Sequence, residues 1–149
     1  MGTARAEVSI DRPAEAVWAT IRDFGDLRWY LGVEKICPVE GDERTVSVDH
    51  VPGLEIIERC MNFDEDGRTF TYGVVKFVGD TVMRHPNGSE VDLGPMANRH
   101  KVTVTVIPEG ESRSRVTYDV DLDLDAARVE TSRARYQSCI EHLKGLLEQ

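Results

Sequence analysis

The side chains best suited to proton transfer or to polarising a carbonyl are Glu58, Arg59, Tyr72 and His100. A carboxylate drawn out of water has its pKa raised towards neutrality, where it serves as acid or base, and a neutral imidazole shuttles protons. A guanidinium anchors a carboxylate or enolate oxygen, and a phenol donates to a ligand carbonyl. Such a set fits acid–base chemistry at a carbonyl. Each member also has a structural alternative. Histidines at strand ends, such as His50 and His100, are satisfied by protein hydrogen bonds, buried tyrosines find protein partners, and an arginine reaches solvent along its apolar stem.

Which of these residues meet depends on the faces of their strands. Across residues 54–63 two registers compete, Ile56, Glu58 and Cys60 on one face against Ile57, Arg59, Met61 and Phe63 on the other. A regular strand turns only one set inward. The second set is richer in apolar residues, which predicts Glu58 outward and Arg59 either near the interior or reaching solvent, because carboxylates are rarely buried unpaired. His100 shares parity with Val102 and Val104, and Tyr118 with Val116, Val120 and Leu122, so both point inward. Tyr72 shares parity with its apolar neighbours too, whereas His85 and His142 read as exposed.

Other chemistries leave no trace. The histidines are far apart and Asp64-Glu65-Asp66 sits in a turn, so no metal site is expected. Neither a Gly-rich phosphate loop nor a Gly-x-Ser-x-Gly elbow is present, and no cofactor is implied. Cys37, Cys60 and Cys139 are odd in number and widely spaced, which reads as reduced thiols. With 27 acidic against 18 basic residues the net charge is -9, which disfavours nucleic acid and anionic membranes as partners. The opening residues lack an apolar signal core and no stretch approaches a membrane span, which predicts a soluble, cytoplasmic protein without membrane insertion.

The elements that position these residues are legible from periodicity. Residues 6–10 alternate as a half-buried strand, and Pro13 opens a helix with Val17, Ile21 and Phe24 at helical spacing and Trp18 beside them. Gly25, Asp26 and Gly32 bracket a short aromatic segment in which Trp29 and Tyr30 either gate a pocket or plug the end of the core. From Lys35 onward, turn signals separate strands at 46–48, 54–63, 70–77, 102–107 and 116–122. Residues 79–98 interrupt this meander with an extra hairpin or long loop, marked by Asn87-Gly88, in the position of a lid. From Asp125 to Gln149 a single apolar stripe of Val129, Tyr136, Ile140, Leu143 and Leu147 predicts one long helix against the sheet.

A twisted antiparallel sheet that curls around one helix leaves a gap, filled by core or by ligand. Val8-x-Ile10-Asp11, Pro13-x-Glu15-Ala16-Val17-Trp18, Ile21-x-Asp23-Phe24, Ile57-Glu58-Arg59 and Phe70-Thr71-Tyr72 resemble the START-like or Bet v 1-like superfamily, in its polyketide cyclase/dehydrase and lipid-transport group. The resemblance covers essentially the whole chain. It implies one α+β domain over residues 1–149 with a helix-grip fold. About seven antiparallel strands would wrap the long C-terminal helix, with two short helices after the first strand and an internal cavity. It implies a small hydrophobic or amphipathic ligand, such as a polyketide, isoprenoid or lipid, bound by Trp29, Tyr30, Tyr72, His100, Val102, Val104, Tyr118 and Tyr136. Two alternatives stand beside binding: a cyclase or dehydratase, and a protein-interaction module with a vestigial cavity. Either a monomer or a homodimer is compatible. The 79–98 insertion departs from the shorter connection usual in small bacterial members and reshapes the pocket mouth.

Overall fold

The computed structural model describes residues 2–30, 33–36, 39–49, 51–84, 86–122 and 126–149. His50, His85, Cys37 and Asp125, each given a place by the sequence, lie outside the described residues. Strand β1 (Gly2–Ile10) leads into α1 (Ala14–Ile21), and β2 (Val33–Ile36), β3 (Glu43–Val48), β4 (Glu55–Asp64) and β5 (Thr69–Val78) follow. A hairpin of β6 (Val82–Arg84) and β7 (Glu90–Asp92) and a 3₁₀ turn (Gly94–Met96) precede β8 (His100–Pro108), β9 (Ser114–Leu122) and α2 (Ala126–Leu147). Seven of these strands form one antiparallel sheet, in the order β1-β9-β8-β5-β4-β3-β2, and β6 and β7 pair apart from it. The described residues therefore carry nine strands, two of them in the inserted hairpin.

Pro13 begins α1 by spending its carbonyl on the amides of Ala16 and Val17, at 3.0 and 3.2 Å. The helix buries Ala14, Val17, Trp18 and Ile21 against β8 and β9. Of the two short helices expected, only this one forms among the described residues. Asp23 and Asp26 instead accept hydrogen bonds from the backbone amides of Gly25 and Arg28, at 2.9 and 3.1 Å. Side-chain turns of this kind compete directly with helical hydrogen bonds, and the segment becomes consecutive turns ending in Tyr30 N–H to Leu27 C=O at 2.9 Å.

Alternation on the central strands builds the core. Val102, Val104 and Val106 of β8 and Val116, Tyr118, Val120 and Leu122 of β9 are buried. On the opposite face Thr69 pairs with Thr105 and Thr71 with Thr103, hydroxyl to hydroxyl at 2.9 Å, each pair contributing roughly 0.2–1 kcal/mol. Helix α2 lays Val129, Tyr136, Cys139, Ile140 and Leu143 into the concave side, and each large apolar side chain so buried contributes roughly 1.5–3 kcal/mol.

Strand β4 corrects the sequence expectation. Its pairing with β5 slips twice, between Ile57 and Glu58 and between Cys60 and Asn62. Ile56, Glu58 and Cys60 oppose Phe77, Val74 and Tyr72, and past the second bulge Phe63 opposes Phe70. An extra residue at a bulge changes which parity faces the core. The set of Ile56, Glu58 and Cys60 therefore faces the concave side, with Glu58 on it rather than outside it, and past the second bulge Phe63 of the other set turns to the same side at its rim, against Phe70, while Met61 stays exposed.

Candidate functional site

A cavity of about 270 Å³ lies between β3, β4 and β5 on one side and the first half of α2 on the other. Most of its wall is apolar. Val46 and Val48 come from β3, Ile56 from β4, and Val74 and Phe77 from β5, while Leu27 borders it from the connection after α1 and Val33 from the start of β2. The inserted hairpin and 3₁₀ turn add Met83, Val91, Leu93 and Met96, so the insertion forms part of the wall. Gly88 turns the hairpin at φ 87, and the Asn87 side chain accepts from the Ser89 amide at 2.9 Å.

Among the polar side chains that line this space are Arg44, Glu58, Tyr72, His100 and Tyr136. Arg44 is 4 % exposed and donates through Nε to Glu58 Oε1 at 2.8 Å and through Nη1 to the Phe24 carbonyl at 3.0 Å. Its guanidinium carbon lies 3.9 Å from the centroid of the Phe24 ring and 4.8 Å from that of Tyr72. Burial is the largest single influence and works against the charge, but Glu58 and the neighbouring tyrosine more than offset it, and the guanidinium pKa is raised. The guanidinium therefore stays charged beside Glu58.

His100 opens β8 immediately above a close approach of two strands. A Cβ on Gly73 of β5 would lie 2.6 Å from the His100 carbonyl, so only glycine lets β5 and β8 come together there. The imidazole is 3 % exposed, and its Nε2 shares a hydrogen bond of 2.9 Å with the Tyr136 hydroxyl. Its Nδ1 is buried without a partner among the described residues. Loss of solvation lowers the His100 pKa to about 4, so the ring is neutral at physiological pH. Burial likewise raises the phenols of Tyr30, Tyr72 and Tyr136, and Tyr72 eases the rise at Tyr136 by hydrogen bonding to it. The cluster thus offers neutral donors and acceptors beside one compensated ion pair.

The structure sorts the residues marked by the sequence into two groups. Tyr30, Glu58, Tyr72, His100 and Tyr136 line the cavity together. Val102, Val104, Tyr118 and Trp29 do not; they are buried behind its wall. The reason is topological, since β8 and β9 run beneath α1 and α2, and the open volume falls over β3 to β5 instead. Trp29 packs edge-on against Tyr30 with ring centroids 5.4 Å apart, so Tyr30 reaches the cavity and Trp29 backs it. Tyr118 sits 5.4 Å behind Tyr136. Arg59 points away, bound to Glu43 at 2.6 Å and near Asp42 at 3.7 Å. Sequence reasoning missed Arg44. Its signal was parity with Val46 and Val48, which puts an arginine on an inward face, where it requires a carboxylate on the next strand.

Among the described residues no three His, Cys, Asp or Glu side chains cluster as a metal-ligand set. No described helix is long and apolar enough to cross a membrane.

No curated protein matches the chain in sequence. In fold it is similar to the protein XoxI from Bacillus cereus, at 20% identity and a TM-score of 0.74 over 98% of this chain and 95% of that one. A START superfamily protein from Mycobacterium smegmatis matches with a TM-score of 0.64 at 12% identity, over 98% and 94% of the two chains. The di-domain ARO/CYC protein BexL, from the BE-7585A biosynthetic pathway, matches with a TM-score of 0.72 at 16% identity, over 99% of this chain and 47% of that one. The family model described as polyketide cyclase/dehydrase and lipid transport matches residues 1–148. By that match over nearly its full length, the chain belongs to the polyketide cyclase/dehydrase and lipid-transport family.

Proposed function

We propose that this protein, acting as a single cytoplasmic domain, binds a small apolar or amphipathic molecule in the cavity between sheet and α2. The observation that carries the reading is the space of about 270 Å³ whose walls are mainly aliphatic and aromatic, with a few convergent polar groups. Water held against such walls is poorly hydrogen-bonded, and its replacement by an apolar ligand is favourable. The polar cluster then orients the ligand rather than supplying the bulk of the affinity.

Turnover is the second reading, and one contact favours it. A neutral imidazole hydrogen-bonded to a buried phenol, His100 to Tyr136, pairs a proton acceptor with a donor beside the cavity. An enol-forming or dehydrating step on a carbonyl ligand would use both.

Native mass spectrometry of the purified protein, followed by denaturing extraction, tests the first reading. A stoichiometric apolar adduct is expected. A clean mass, together with no binding of hydrophobic probes competed by filling variants such as Val74→Trp, would reject it in favour of a protein-contact role. With the ligand in hand, His100→Gln separates the readings: loss of product formation with the dissociation constant retained supports catalysis, and a change in affinity alone supports carriage.

A further inference from the structure

The Arg44–Glu58 pair limits what the buried polar end of a ligand can be. We infer that the cavity selects molecules carrying an uncharged oxygen, a ketone or phenol, at the Arg44–Tyr72 cluster and discriminates against free carboxylates there. This inference rests on the cavity being a ligand site and adds the chemical class of its polar anchor.

The argument begins with donors. A guanidinium has five N–H groups. Arg44 commits one to Glu58 and one to the Phe24 carbonyl, and the others meet no acceptor among the described residues, although the guanidinium lines the cavity. A group with unmet donors facing an apolar cavity recognises an acceptor oxygen. Charge then decides which oxygen. In an ordinary carboxylate site the arginine brings an uncompensated positive charge, but here Glu58 cancels it at 2.8 Å. Glu58 has a side chain only 13 % exposed and shares the same wall, so an incoming carboxylate would be desolvated beside a like charge. A ketone or phenol oxygen accepts from Arg44 without that repulsion.

The rest of the cluster agrees. Phe24 and Tyr72 lie against adjacent sides of the guanidinium, and its bonds to Glu58 and to the Phe24 carbonyl fix the direction of its remaining donors. Tyr72, Tyr136 and His100 are all neutral, and none supplies the positive charge a carboxylate would need. The other cations on the wall, Arg128 and Arg135, are exposed residues of α2 on the solvent side of the cavity.

The test uses two probes of one shape, 2-naphthol and 2-naphthoate, titrated at neutral pH by calorimetry against the wild-type protein and Glu58→Gln. The wild type should bind naphthol more tightly by about tenfold or more. Glu58→Gln leaves Arg44 uncompensated in nearly the same volume, so the ratio should shift towards naphthoate by a similar factor. Equal or tighter binding of naphthoate to the wild type overturns the inference while leaving the cavity reading intact. So does a ratio indifferent to Glu58→Gln, as would follow if the carboxylate lay at the exposed side near Arg128 and Arg135. Binding of neither probe removes the cavity reading and this inference with it. The wild-type ratio decides the matter even if the variant does not fold.

Discussion

His100 is held neutral by its surroundings, and that has a thermodynamic consequence. Burial lowers its pKa to about 4, against an ordinary value of about 6.5 in the unfolded chain. Between those values the unfolded state binds the proton and the folded state does not, so stability rises with pH across this window and is lost as pH falls from about 6.5 towards 4. The span corresponds to about 3 kcal/mol. The carboxylates with lowered pKa values, such as Glu65 and Asp26, release their contributions only at lower pH, below their ordinary carboxylate range. Urea denaturation at a series of pH values should show the slope in the wild type and its loss in His100→Gln. An unchanged slope in the variant would assign the effect to another group. The same residue marks how far the sequence could be read. His100 and Tyr72 were placed inward by parity with neighbouring apolar residues, and they do line the cavity. Glu58 was turned the wrong way because a lone buried carboxylate is improbable, and its partner Arg44 lies on another strand where no local pattern links the two.

Helix α2 is fastened to the sheet by a device that periodicity does not reveal. Strand β1 is an edge, and its backbone would otherwise present unpaired groups on that side. Gln137 accepts from the Glu7 amide at 3.1 Å and donates to the Glu7 carbonyl at 2.8 Å, as a neighbouring strand would. Further along, Lys144 donates to the Ser9 carbonyl at 2.8 Å and Glu148 accepts from the Asp11 amide at 2.7 Å. Two side chains of α2 and that of Glu148, just past its end, thus occupy Glu7 and Ser9 of the strand edge and Asp11 just beyond it. Gln137→Ala should cost ~1 kcal/mol in urea denaturation, water replacing part of what is lost, and should increase self-association through the uncovered edge. A variant as stable and as monodisperse as the wild type would show that the clasp is ornamental. The sequence revealed the apolar stripe of α2 because that signal repeats every turn. It could not reveal the clasp, whose polar residues look like any solvated face, nor the bulges of β4, which depend on the match between two strands.

At the scale of the whole molecule, stability and ligand access reside in different parts. The seven-stranded sheet and α2 bury the core, while the β6–β7 hairpin stands outside that sheet and lends Met83 and Val91 to the cavity wall. The hairpin closes on its own base: the Leu93 amide donates to the Thr81 carbonyl at 2.9 Å and the Thr81 hydroxyl to Asp92 at 2.6 Å. Beyond it, the Asn98 amide returns the chain to β5 by donating to the Val74 carbonyl at 2.8 Å. A short linker in place of residues 82–91 can therefore bridge the gap and leave Thr81, Asp92, Leu93 and Asn98 to make these contacts. Loop closure depends only weakly on length, so the melting temperature should move by no more than about a few degrees. Dissociation of a bound probe such as 2-naphthol should quicken by about tenfold or more, because two apolar wall residues are removed and the cavity opens to solvent. Stopped-flow displacement measures that rate directly. An unchanged rate would place the exit elsewhere, under the first half of α2, whereas failure of the shortened protein to fold would make the hairpin a structural element and not a cover.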